Sequence, residues 1–437
     1  MYVQTAEGPE QLQMPYLYHP SIGRIGEHSI GQPVAASACL SALKCVPHQH
    51  VPRTCGADGS FISATSPRVM ERAAMNPGFF RATDGFHEFD VPLHMKLQNL
   101  LLDTPKYAAM LSDQSRRTRD ASPADSVRVA LVDLTGDKLC KPGYADWGSK
   151  FPTIAGSTMK IAILYATHQL LYDLNEMART SGSTTAAALK KKADEVWSPF
   201  VCPPDLDWLV AYDLSGPTVR VKASNNLALH LRQMVDGAFP DASVARSNQL
   251  IMRLGFEYIA SVLWQSGLRR SRDEGLWIRN TYAQAKVLAK VNPNCHYKIH
   301  EKSLERIVWF QDPTNDTGLR LTALSVVTFL TLLAQRRLVN DQVSVAMESL
   351  LRKGCTYPLQ SRYYPSFPVS DMNIRASKCG LTSEVMHVAM LLESRSRDRR
   401  YALAVLCLRQ GHSEGKVMAF LNSIVKDIDK LVKANNP

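Results

Sequence analysis

Residues 127–164 read VRVALVDLTGDKLCKPGYADWGSKFPTIAGSTMKIAIL, and the fold turns on how this stretch divides. Val127, Val129 and Leu131 alternate with Arg128, Ala130 and Val132, a run apolar enough for a central strand. Thr135-Gly136-Asp137 makes a turn, and a second strand is expected through Tyr144. A long apolar helix is expected to begin near Ser157 and to run past Leu171.

Downstream, helical segments dominate to about residue 355. Three strand-like runs follow: Asn373–Gly380, Glu384–Leu392 and Tyr401–Leu408. The chain closes on an amphipathic helix that spaces Val417, Phe420, Leu421, Ile424, Val425, Ile428, Leu431 and Val432 in steps of three and one. Strands at both ends and helices between them predict an α+β fold. An antiparallel sheet of about five strands from both chain ends would be flanked by helices, with an inserted all-helical lobe. Residues 126–437 form that domain. Residues 1–125 read as an irregular, proline-rich extension with one or two weakly amphipathic helices over 91–113, and the polar run Gln114–Asp125 is the expected boundary.

The chain of 437 residues is 45% apolar and 21% charged, which excludes wholesale disorder, collagen and coiled coil. Its 51 Lys+Arg against 40 Asp+Glu leave a net charge of +11. Residues 1–124 hold 11 of each sign, so the excess lies in the C-terminal part. No Lys/Arg run carries interleaved aromatics, so the expected partner is a small anionic substrate and not nucleic acid. The longest apolar run, Leu321–Ala334, is too short to span a bilayer and reads as a buried helix. MYVQTAEGPEQLQMPYLY has neither a basic n-region nor an apolar core, so a cytoplasmic location is expected, or a secreted or periplasmic one if the chain is a mature form. Cys45, His48, His50 and Cys55 fit no standard zinc spacing and read as loop; no metal or cofactor is expected. Oligomeric state is not legible.

Ser157 sits where a loop runs into a helix, and Lys160 follows one turn later on the same face. Ile161, Ile163 and Leu164 would desolvate the ammonium and lower its pKa, allowing it to take the serine proton. Alone, S-x-x-K is a weak signal, since Ser157 could equally be a helix cap. Two further motifs follow in order: Ala223-Ser224-Asn225-Asn226, and Lys378-Cys379-Gly380 on a C-terminal strand.

S-x-x-K, S-x-N and K-[ST]-G in that order resemble the signature of the serine β-lactamase and penicillin-binding protein superfamily, class A β-lactamases foremost. The hairpin before FPTIAGSTMK and the RYALAVL strand before the last helix are similar too. The likeness covers residues 126–437 and leaves the first 125 outside it. It implies a serine hydrolase that forms an acyl-enzyme on Ser157 with a β-lactam or a carboxylate-bearing ester or amide. An acyltransferase or a non-hydrolytic β-lactam-binding sensor of the same fold is the alternative. Lys160 would be the general base or part of a relay to one. Ser224 would shuttle a proton to the leaving group, with Asn226 holding substrate and Lys160. Lys378 would fix Ser224 and bind a carboxylate. Backbone N–H groups of Ser157 and Leu381 would form the oxyanion hole, and Gly380 would keep the nucleophile clear.

The chain departs from that pattern at several points. Cys379 stands where the family has Thr or Ser, as a size-matched replacement or a reactive thiol, and Thr382 is the candidate for the missing hydroxyl. Ser243 in Asp241-Ala242-Ser243 also opens a helix and rivals Ser224, which is preferred for its asparagine and shorter separation. Glu274 within Arg269-Arg270-Ser271-Arg272-Asp273-Glu274-Gly275 is a candidate base for deacylation, or part of a charged surface loop. Arg269, Arg270, Arg272 and Arg279 form a basic cluster that alternatively recognises anionic substrates.

Overall fold

The computed structural model describes residues 90–436 apart from 109, 112–126, 140, 198–202, 236–239, 270–274, 279–318, 353, 355–370 and 410–411. Before residue 90 it describes three short paired segments: 2–5 with 8–11, 18–19 with 23–24, and 54–55 with 61–62. In chain order the main elements begin with α1 (Val91–Asp103), β1 (Val127–Asp133), β2 (Gly143–Trp147) and β3 (Thr153–Ile154). A helical stretch follows, with α2 (Lys160–Ser181), α3 (Ala186–Trp197), the hairpin β4 (Val210–Asp213) and β5 (Arg220–Ala223), then α4 (Asn225–Val235), α5 (Pro240–Leu254) and α6 (Phe256–Gln265). β6 (Trp277–Ile278), β7 (Leu319–Leu321), α7 (Ala323–Ala334) and α8 (Asp341–Leu351) lead to β8 (Met372–Leu381), β9 (Val385–Ser394), β10 (Arg400–Leu408) and α9 (Glu414–Asn435).

Five strands form one antiparallel sheet in the order β8-β9-β10-β1-β2, so strands from both chain regions meet at the β10–β1 pair. All seven residues of β1 are buried, as expected of a central strand covered on both faces. Val127, Val129 and Leu131 face the layer of α9 and α1, while Ala130 and Val132 face the layer of α2 and α7. The apolar run expected as a buried helix is α7, and all twelve of its residues are buried. Among the described residues no helix is long and apolar enough to cross a membrane.

Two expectations are revised. The second strand does not follow the turn directly: Gly136 takes φ +59°, residues Gly136–Leu139 form a 3₁₀ turn, and the strand starts at Gly143. Lys138 closes that turn by donating to Asp133 Oδ2 at 2.7 Å. The boundary drawn at residue 125 also leaves α1 outside the domain whose core it fills. Leu93, Leu97 and Leu101 are fully buried in the layer that holds Phe420, Leu421 and Ile424 of α9. The Asp90 N–H bonds the Tyr144 carbonyl of β2 at 3.1 Å, and the Tyr107 and Phe420 rings meet edge-on at 5.4 Å. Burial of each such leucine contributes about 1.5–3 kcal/mol, which a separate extension would forgo.

Candidate active site

The segment that carries Ser157 is pinned before it reaches the helix. β3 pairs with β7, and the Ala155 N–H bonds Leu319 O at 3.0 Å. Gly156 then takes φ +51°, a left-handed conformation that favours glycine, and a 3₁₀ turn over Gly156–Met159 hands the chain to α2. Ser157 lies in that turn, partly exposed, while Thr158, Met159 and Lys160 are buried. The end of β8 presses against the turn backbone to backbone. A Cβ at Gly380 would come within 2.7 Å of Thr158 Oγ1 and 3.0 Å of Ala155 O. Only glycine allows so close an approach.

Lys160 is 2% exposed, and its Nζ donates to Ser243 Oγ at 2.5 Å. Burial, and next the positive charge of Lys378, lower its pKa from 10.5 to about 7. Near neutrality this amine therefore divides between its base and acid forms. Ser243 sits in the first turn of α5, buried, and donates its own proton to the Met234 carbonyl at the end of α4, 2.7 Å away. A lysine and a serine from different helices thus form a continuous hydrogen-bonded chain.

Ser224, preferred from the sequence, is engaged elsewhere. Its hydroxyl accepts from Leu227 N at 3.0 Å and donates to Trp208 O at 2.7 Å, capping α4. Asn226 lies exposed in the first turn of the same helix. The rival Ser243 is the serine that meets Lys160, although Ala245 stands two residues on in place of an asparagine.

Lys378 is buried on β8, pairs across the ladder with Ala389, and donates to Gly354 O at 3.0 Å. Cys379 points to the opposite face, into the apolar layer beneath α9, and is disulfide-bonded. It is therefore neither a free thiol nor a stand-in for a substrate-binding hydroxyl. Thr382 Oγ1 accepts the Glu384 and Val385 N–H groups at 3.1 Å each and so closes the β8–β9 hairpin. Leu381 is 39% exposed. The Thr382 N–H bonds Val385 O at 2.9 Å, and ladder bonds alternate, so the Leu381 N–H points away from β9 along the open edge of the sheet.

Arg269 is buried and forms a bridge with Gly275. Glu274, Arg270, Arg272, Arg279, Cys45, His48 and His50 lie outside the described residues. Among the described residues no group of three or more His, Cys, Asp or Glu side chains is placed to hold a metal ion. Sequence reading passed over His387, a lone polar residue in the apolar run of β9, which lies opposite Gly380.

No protein-family model and no curated protein matches the chain. Among solved structures it is similar to PBP-A at 14% identity, over 77% of this chain and 96% of that one, with a TM-score of 0.43. A class A β-lactamase from Bacteroides cellulosilyticus is 13% identical over 78% and 96%, with a TM-score of 0.40. A β-lactamase from Sphaerobacter thermophilus is 13% identical over 70% and 89%, with a TM-score of 0.39.

Proposed function

We propose that the protein is a serine hydrolase that forms an acyl-enzyme on Ser157. The observation that carries this reading is Lys160: a buried lysine one turn after Ser157, with a pKa near 7 and bonded to a second buried serine. Neutral Lys160 takes the Ser157 proton as the oxygen attacks the substrate carbonyl. The negative charge that develops on the carbonyl oxygen is met by backbone N–H groups of Ser157 and Leu381. Collapse of the tetrahedral species expels the leaving group, and the proton returns from the Lys160 ammonium through Ser243. Water then releases the acid and regenerates Ser157.

The substrate class proposed is a β-lactam, or an ester or amide that carries a carboxylate. Lys378, held beside Lys160, supplies positive charge for such an anion, and the excess of basic residues after residue 124 favours its approach. Intact-mass spectrometry after incubation with a panel of β-lactams and p-nitrophenyl esters is the test. The expected adduct is on Ser157, absent in Ser157→Ala, with nitrocefin turnover lost in parallel. Adducts that persist identify a non-hydrolytic binding protein, and product yield that rises with an added nucleophile identifies an acyltransferase. No adduct on Ser157 with any of these probes overturns the reading.

A further inference from the structure

Residues 151–157 cross one end of the large sheet, and three contacts seat them on residues of a single cross-strand row. Gly380, His387, Leu406 and Arg128 stand opposite one another on β8, β9, β10 and β1. The Phe151 ring lies 5.6 Å from the Arg128 guanidinium, Ile154 O accepts from His387 Nε2 at 2.7 Å, and Gly156 packs on Gly380. We propose that His387 is a positioning residue for acyl transfer, fixing the height of the Ser157 turn above the sheet through its bond to Ile154; this rests on Ser157 being the nucleophile.

The ladder explains why Ile154 needs such a partner. Ala155 N–H bonds Leu319 O, so by alternation the Ile154 carbonyl points away from β7 and has no ladder bond there. A carbonyl in that position demands a donor. His387 supplies one in a defined tautomer. Its Nδ1 accepts the Cys407 N–H at 3.1 Å, so Nε2 carries the proton. Burial lowers the pKa of His387 to about 4, so the ring is neutral where Lys160 titrates and contributes no charge of its own. With 0% exposure and both nitrogens bonded, the ring ties β9, β10 and the nucleophile segment together within three residues of Ser157.

The test compares His387→Gln, whose amide nitrogen can still reach Ile154 O, with His387→Asn, which keeps an acceptor near the Cys407 N–H but falls short of Ile154. Two readouts are taken on the full chain: the rate of Ser157 acylation by nitrocefin or a p-nitrophenyl ester, and hydrogen exchange of the peptide covering 151–159. The expected result is acylation at least tenfold slower in His387→Asn at unchanged half-saturation, with faster exchange confined to 151–159, and His387→Gln within about threefold of the parent. Equal behaviour of the two variants, whether both retain activity, both lose it or both fail to fold, overturns the proposal. If the parent itself is not acylated, the assignment of Ser157 falls, and exchange alone decides the seat: faster exchange only in His387→Asn supports it, and no difference overturns it.

Discussion

Lys160 Nζ sits 2.5 Å from the hydroxyl of Ser243, a residue 83 positions further along the chain. Ser224, by contrast, spends its hydroxyl on Leu227 N and Trp208 O. The two serines therefore predict different acylation phenotypes. Ser243→Ala removes the proton path and lowers the acylation rate about 100-fold, and costs about 1–3 kcal/mol of stability because the buried Lys160 Nζ and the Met234 carbonyl each lose a hydrogen bond. Ser224→Ala removes a helix cap, costs about 1 kcal/mol of stability, and leaves acylation within about twofold. Stopped-flow acylation paired with denaturant unfolding separates them, and the reverse pattern would return the role to Ser224.

The pH dependence of acylation follows from Lys160. Only its neutral form accepts the Ser157 proton, so the rate rises with pH through about 7 and then levels. Part of that low value comes from the charge of Lys378. Lys378→Met removes that repulsion, the Lys160 pKa climbs back toward 10.5, and the midpoint moves alkaline. A midpoint unmoved or shifted to acid would show that Lys378 does not act on Lys160.

The same lysine links stability to pH. In the unfolded chain it holds its proton up to 10.5, whereas in the native state it releases it near 7. Between those values the unfolded state binds more protons, so this group makes native stability rise with pH across the window, by about 1.4 kcal/mol per unit at most. Below pH 7 the cost of burying the charge is fully present. Lys160→Met, similar in volume, is expected to stabilise the protein at pH 6.5 and to lose that advantage by pH 10, while abolishing acylation. Urea unfolding of parent and variant at several pH values checks the sign.

Much of this architecture was readable in the residues, because it depends on local pattern. VRVALVD is a short, near-continuous apolar run of the kind that suits a doubly covered strand, and S-x-x-K at the head of an apolar helix implies its own helix face. The choice between Ser224 and Ser243 had no local answer. Both open helices, and what separates them is which helix packs over Lys160, a tertiary fact. Cys379 misled for a similar reason: its motif position suggested a substrate contact, but strand alternation turns it to the α9 face, where it is disulfide-bonded. α1 was under-read because three leucines on one stripe give a weak signal until α9 and β2 are set beside them.

Gly380 offers a steric test of how closely β8 abuts the nucleophile turn. An added methyl would meet Thr158 Oγ1 at 2.7 Å and Ala155 O at 3.0 Å, and the backbone atom has no room to yield. Gly380→Ala is expected to cost about 1–3 kcal/mol and to slow acylation by tenfold or more, by displacing the turn or the Leu381 N–H. Gly415→Ala, in the first turn of α9 where nothing lies within 4 Å, is the control: acylation should be unchanged and stability unchanged or raised by up to about 1 kcal/mol. Wild-type acylation in Gly380→Ala would show that the contact does not govern the site.

The extent of the folding unit can be tested by truncation. If α1 is part of the outer layer, removing residues 1–125 strips Leu93, Leu97 and Leu101 from the sheet and bares Phe420, Leu421 and Ile424 of α9. That chain is expected to be insoluble or to unfold with a poorly cooperative transition. A chain beginning at residue 90 keeps the Asp90–Tyr144 bond and all three leucines, and should unfold cooperatively near the parent midpoint. Leu97→Ala in the full chain gives the graded version. A fully buried leucine lost from this layer costs about 2–5 kcal/mol, while acylation persists because α1 lies on the face of the sheet away from Ser157. Cooperative folding of the chain from residue 126 at parent stability would restore the boundary to residue 125.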